Sequence, residues 1–228
     1  PRFLDQSQLL IKELRKKSEK DLQDLMSISP KLAQLNAERY RHFKTPFTKK
    51  NARPCLFAFK GDVYDGLEAE SLSASALKRA QTELRILSGL YGLLRPFDLM
   101  QPYRLEMSTR LENPRGKNLY LFWGDRITDA LNAELAAHKD KTIINLASEE
   151  YFKAIDVKKL EGRLITPIFK EIKGNQMKVI GLFAKKARGM MARHLLEGNS
   201  LETFNASGYK PHRPSDDPGE VIFSRKSA

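Results

Sequence analysis

Three stretches of the chain repeat one layout: a short apolar run ends in a polar turn, and an amphipathic segment follows. They are CLFAFKGDVYDGL (55–67), NLYLFWGDRITDALNAELAAH (118–138) and KTIINLASEEYFKAI (141–155). Such alternation marks a sheet whose strands are joined by helices. The run at 55–59, the run at 119–123 and the run at 142–146 are the predicted strands. RLITPIFKEIKGNQMKVIGL (163–182) reads instead as a hairpin turning at Lys173-Gly174-Asn175. Strands joined in both ways predict an α/β or α+β fold, with a mixed β-sheet flanked by helices in a single domain over 1–228.

Helix signals fill the rest. Ser18 caps a segment with Asp21 three residues on, Ser29 precedes Pro30 at a first helical position, and Ser73 and Ser148 open two further helices. AKKARGMMARHLLEGN (184–199) reads as a helix ending near Gly198. The tail combines a Pro-rich loop with a last short strand. No internal repeat or low-complexity segment interrupts this order. The opening PRFLDQSQLL lacks an initiator Met and begins close to a helix, so residues are expected upstream; it has neither the basic head nor the compact apolar stretch of a secretory signal. The single cysteine, Cys55, excludes an intrachain disulfide framework and fits a reducing cytoplasm. No apolar run reaches the roughly 18–20 residues of a membrane span.

Charge narrows the partners. The chain carries 40 Lys and Arg against 28 Asp and Glu, a net charge of +12. The excess is regional: 12 against 6 in residues 1–50 and 8 against 1 in residues 163–193, while 51–72 and 117–162 are slightly acidic. A polyanion is the partner such a surface fits, and nucleic acid is the commonest one. Lys185, Lys186, Arg188 and Arg193 lie along one predicted helix, where they suit a nucleotide or a DNA backbone equally; a solvated charge run is the plainer reading.

LSGLYGLLRPFDLMQPYR (87–104) sharpens the nucleic-acid reading. Its apolar-x-Gly-apolar-x-Gly pattern is similar to the turn of a helix-hairpin-helix. On that reading the element occupies 73–96, with a first helix over Ser73–Ile86 and a second from Gly92 toward Leu94. Gly89 takes a positive φ, Gly92 lets a phosphate approach the main chain, and free N–H groups point at it. Gly89, Leu90, Tyr91 and Gly92 form the cradle, with charge from Arg85, Arg95, Lys185, Lys186 and Arg188. The expected partner is duplex or structurally distorted DNA, bound without sequence preference. Two glycines that simply allow close packing are the competing reading, and Pro96 limits the second helix.

Polar residues also collect at the ends of predicted strands, among them Lys60, Asp62, Asp125, Asn145, Ser148 and Glu150, with Gln101, Tyr103, Arg104 and Glu106 from QPYRLEM. Lys60, Asp62, Arg104 and Lys185 are the catalytic candidates if the chain is an enzyme acting on a small phosphate-bearing ligand or nucleic acid in a basic cleft. No Walker loop, nucleophile elbow or other catalytic motif accompanies them. The histidines His42, His138, His194 and His212 are scattered and one cysteine cannot hold an iron–sulfur cluster, so no metal or cofactor is expected.

AFKGDVYDGL (58–67), LSGLYGLLRPFDLMQPYRLEM (87–107), LFWGDRIT (121–128), INLASEEYF (144–152) and FAKKARGMMAR (183–193) together resemble the bacterial YaaA family of peroxide stress proteins over essentially the whole chain. The resemblance implies a cytoplasmic protein of the oxidative-stress response that limits free iron and its damage to DNA. It also implies a family-specific fold with a helix-hairpin-helix and a basic cleft. With no ligand spacing in sight, the effect on iron is expected to be indirect.

Overall fold

A computed structural model describes residues 1–212 and 217–226. In chain order the elements are α1 (Leu4–Leu14), α2 (Glu19–Met26), α3 (Pro30–His42), β1 (Arg53–Pro54), α4 (Cys55–Ala58), α5 (Asp62–Leu67), α6 (Ala74–Glu83), β2 (Ile86–Ser88), β3 (Gly92–Leu94), β4 (Leu99–Met100), α7 (Leu119–Trp123), α8 (Arg126–Leu135), β5 (Thr142–Ile144), α9 (Glu149–Phe152), β6 (Arg163–Lys173), β7 (Gln176–Lys178), α10 (Gly181–Leu196), β8 (Lys210–Pro211) and β9 (Glu220–Lys226). The fold is mixed α/β. Its residues gather into two compact units: 1–58, 85–134 and 148–160 in unit 1, and 59–84, 135–147 and 161–228 in unit 2. The chain moves between the units repeatedly, so no single cut separates them.

Unit 1 carries α2, α3 and α9 of the helices that the capping residues predict, and the fourth, α6 after Ser73, is in unit 2. The Ser18 hydroxyl accepts from the Asp21 N–H while the Asp21 carboxylate accepts from the Ser18 N–H at 2.8 Å, closing both ends of a capping box at α2. Ser29 caps α3, and Pro30 occupies its first turn, where its missing N–H costs nothing. Leu10, Ile11, Leu14, Leu22 and Met26 are buried along one side of α1 and α2.

Two predicted strands of the repeated layout are helices. Residues 55–58 form α4 and residues 119–123 form α7, the latter capped by the Asn118 side chain and ended by Gly124 at φ +49°. Apolar runs of four or five residues carry too little periodicity to separate strand from helix. Leu119, Phe122 and Trp123 are fully buried.

Unit 2 holds the mixed sheet, in the order β5-β6-β9-β8 with β7 added to β6. β5 and β9 run parallel to β6, whereas β7 pairs with β6 and β8 with β9 in antiparallel fashion. The β6–β7 turn falls at Lys173-Gly174-Asn175, and Gly174 supplies its φ of +59°. β9 is the predicted last strand; residues 213–216 of the preceding Pro-rich stretch lie outside the described residues. One sheet face packs on α10, burying Phe169, Ala184, Ala187, Met191, Phe204, Tyr209 and Phe223 together.

α5 crosses α10 at main-chain distance. A Cβ on Gly189 would lie 1.8 Å from the Val63 carbonyl oxygen, and one on Gly66 would lie 2.2 Å from that of Lys186. Main-chain atoms cannot yield as a side-chain tip does, so both positions exclude any larger residue. Gly189→Ala is expected to destabilise the protein by roughly 2 kcal/mol or more, read as a lower urea midpoint with an unchanged m-value. An unchanged midpoint would show that the helices separate freely.

Candidate nucleic-acid interface

Residues 86–94 are a β-hairpin rather than the turn and second helix of a helix-hairpin-helix. α6 begins after Ser73, as expected, but ends at Glu83; β2 and β3 then pair antiparallel, with Ile86 opposite Leu94 and Ser88 opposite Gly92. Gly92, at φ +70°, closes the three-residue loop, and Gly89 has no positive φ. A helix through Leu90, Tyr91, Leu93 and Leu94 would need apolar surroundings on every side. The hairpin instead places all four in the interior, with residues 88–94 buried.

The glycines are packing positions. A Cβ on Gly92 would lie 2.7 Å from the Trp123 ring, and one on Gly89 would lie 2.2 Å from the Leu105 carbonyl oxygen. The Trp123 indole N–H donates to the Gly89 carbonyl at 3.0 Å. The Tyr91 hydroxyl donates to the Gln101 carbonyl at 3.2 Å and accepts from the Gln101 N–H at 3.0 Å. The expected phosphate cradle at Gly89, Leu90, Tyr91 and Gly92 is therefore corrected: its space holds side chains.

Arg85 and Arg95 are also engaged. Both converge on Glu134, together with Arg2. Arg85 Nε donates at 3.1 Å, Arg95 Nη2 donates at 2.6 Å, and Arg2 and the Arg85 Nη2 complete the cluster. Burial raises the Glu134 pKa, but the hydrogen bonds from Arg85 and Arg95 and the surrounding positive charge win and hold it at about 2. A depressed carboxylate pKa adds stability above its unfolded value of about 4.5, and that increment disappears as the pH falls through 2. Glu134→Gln is expected to cost about 1–2 kcal/mol at neutral pH, with the gap to the parent closing between pH 5 and pH 2 in denaturant titrations. A gap independent of pH would remove the ion cluster as its cause.

The uncompensated charge lies in unit 2. Of the eight Lys and Arg residues between 163 and 193, Arg193 is spoken for: it contacts Glu68 at 3.8 Å and Glu197 at 2.8 Å. Arg163, Lys170, Lys173, Lys178, Lys185, Lys186 and Arg188 make no ion pair among the described residues. Glu171, the one carboxylate of this stretch, points inward, 3% exposed. It accepts from Arg225 Nε at 2.8 and 3.0 Å and from the Tyr209 hydroxyl. Burial and the Glu171 bond push the Tyr209 pKa up. Arg225 stacks 4.6 Å from the Tyr209 ring centre and 4.8 Å from that of Phe183.

On α10, Lys185 and Arg188 stand three residues apart and share a side, with Lys185 in solvent and Arg188 half-buried. Desolvation lowers the Arg188 pKa, and no counter-charge offsets it. Lys186 is exposed nearby, as are Val179, Leu182 and Phe183. Lys173 and Lys178 extend the basic surface on the α10 side of the sheet, whereas Lys170, one residue from Phe169, faces the other side; the charge count of 163–193 signals them, although no motif does.

The four catalytic candidates divide between the units. Lys60 and Asp62 flank Gly61 at the start of α5, and Lys185 is on α10, all in unit 2. Arg104 is in unit 1, where its Nη2 donates to Glu106 at 2.6 Å and its buried Nε has no partner. Among the described residues no three His, Cys, Asp or Glu side chains gather as a metal site would require, and no helix is long and apolar enough to cross a membrane.

A mixed α/β protein with a basic surface on α10 and the β6–β7 hairpin is the class these features define. Residues 1–213 match the family described as peroxide stress protein YaaA, and the chain belongs to that family. It is 51% identical to a UPF0246 protein of Aliivibrio fischeri (strain MJ11), covering 99% of this chain and 89% of that one. It is 53% identical to a UPF0246 protein of Shewanella pealeana and 54% identical to one of Shewanella sediminis, covering 99% of this chain and 90% of each relative.

In a peroxide stress family the lone thiol needs placing. Cys55 is fully buried, and its Sγ donates to the Arg95 carbonyl at 3.0 Å. Burial, aided by the Asp98 charge, pushes its pKa up to about 12. Only the thiolate reacts, so Cys55 is inert in the folded protein. Ellman's reagent is expected to label it only after denaturation; fast labelling of native protein would overturn this.

Proposed function

We propose that this protein protects cytoplasmic DNA during peroxide stress by binding duplex or distorted DNA along its phosphates, through the basic surface of unit 2. The observation that carries this reading is Arg188, a half-buried guanidinium without a counter-charge, one helical turn from the exposed Lys185. Holding a desolvated cation unpaired costs free energy, and an incoming phosphate offsets that cost with charge-assisted hydrogen bonds. Lys173, Lys178 and Lys186 add further phosphate contacts, and the exposed Phe183 on the same helix as Lys186 suits nucleic acid, where cations and aromatic faces act together. Such contacts position the protein on DNA without reading its sequence. DNA covered in this way is shielded from iron-driven oxidation without the protein having to bind iron.

The test is fluorescence anisotropy of labelled duplex and bulged DNA across a salt series, comparing the parent with the double variant Lys185→Glu, Arg188→Glu. The parent is expected to lose affinity steeply with salt. The variant should bind more weakly, and its log–log salt slope should fall by roughly 0.9 for each phosphate contact removed. Equal affinity and slope in both proteins would sink the reading.

A further inference from the structure

Unit 1 contains a feature that the DNA reading leaves unused. The last turn of α3, the loop 43–52 and Gln101-Pro102 border an open surface groove of about 280 Å³. Arg39, His42 and Lys44 line it together with the apolar Leu35 and Pro102, and Glu38 is the one carboxylate among its lining residues. None of the three basic side chains makes an ion pair among the described residues. Arg39 has a single long hydrogen bond, 3.4 Å to Asn36, and the His42 Nδ1 lies 2.8 Å from the Glu38 carbonyl, which leaves Nε2 available.

The loop bearing Lys44 is fixed by amide side chains. Gln101, 7% exposed, accepts from the Lys44 N–H at 3.1 Å and donates to the Lys44 carbonyl at 2.9 Å. Asn51 accepts from the Thr48 N–H at 2.8 Å and donates to the Pro46 carbonyl at 3.1 Å. Beneath the loop, Phe43 and Phe47 pack on each other and on Tyr91. The main chain under Lys44 is thus held before any ligand arrives, and little ordering remains to oppose binding.

We infer that this groove binds a small organic phosphate the size of a nucleoside monophosphate. Arg39 and Lys44, two permanent cations without counter-ions, match the double charge of a phosphate monoester, and the guanidinium presents a fork to two of its oxygens. Leu35 and Pro102 offer an apolar surface to a flat ring. The volume, about 280 Å³, is just below the usual range of ligand sites, which run from about 300 Å³ upward. A free nucleotide and the 5′-phosphorylated end of a nucleic acid carry the same chemistry.

Isothermal titration calorimetry with AMP tests the inference on the parent, Arg39→Ala, Lys44→Ala and the unit 2 double variant Lys185→Glu, Arg188→Glu, each checked for folding by thermal melting. The parent should bind AMP saturably. Either unit 1 variant should weaken binding roughly tenfold or more, and the unit 2 variant should leave it unchanged, which keeps this result separate from the DNA test. Competition by a 5′-phosphorylated but not an unphosphorylated oligonucleotide would assign the site to nucleic-acid ends; competition by neither would assign it to free phosphates. Absence of binding at millimolar AMP, or equal affinity in parent and unit 1 variants, would overturn the site.

Discussion

The contact between Trp123 and the 86–94 hairpin organises unit 1. The indole ring takes the space that a side chain at residue 92 would fill, and its N–H satisfies the carbonyl of Gly89. Both terms depend on residue 92 being glycine, because only glycine combines a φ of +70° with no Cβ. Phe3 packs on one side of Trp123 and Phe122 on another, so the ring joins the first helix, the hairpin and α7. A motif that looks exposed and ligand-ready in sequence is buried in the unit's interior.

Unit 2 separates its charges by direction. Glu171 turns inward to Arg225 and Tyr209, and the cations around it turn outward. An outward Glu171 would neutralise part of that surface; an unpaired inward one would carry a large desolvation cost. Arg225 resolves this, since its guanidinium satisfies the carboxylate while its faces lie on Tyr209 and Phe183. The surface potential of α10 and the β6–β7 hairpin thus follows from one buried ion pair.

Local chemistry was legible in the sequence wherever it was strong. Ser18 with Asp21, Ser29 with Pro30, and Ser73 each start the helix their hydroxyl predicts, and Lys173-Gly174-Asn175 turns the hairpin. Runs of four or five apolar residues were not decidable: 55–58 and 119–123 became helices while 142–144 became a strand. The hairpin at 86–94 was misread because its glycines answer to Trp123 and Leu105, partners that sequence spacing does not reveal. The candidate site follows the same division. The charge surplus of 163–193 can be counted, but the engagement of Arg85 and Arg95 depends on Glu134, 49 and 39 residues away.

The place of β9 in the sheet bears on how the chain matures. Residues 220–226 lie between β6 and β8, paired along seven positions with β6, and Phe223 fills the centre of the unit 2 core. Every other strand of that sheet leaves the ribosome first. Until β9 emerges, one edge of β6 is unsatisfied and the apolar faces of β6 and α10 stay open beside it. A nascent chain stalled before residue 220 is therefore a sticky intermediate, and unit 2 closes only once β9 has been made.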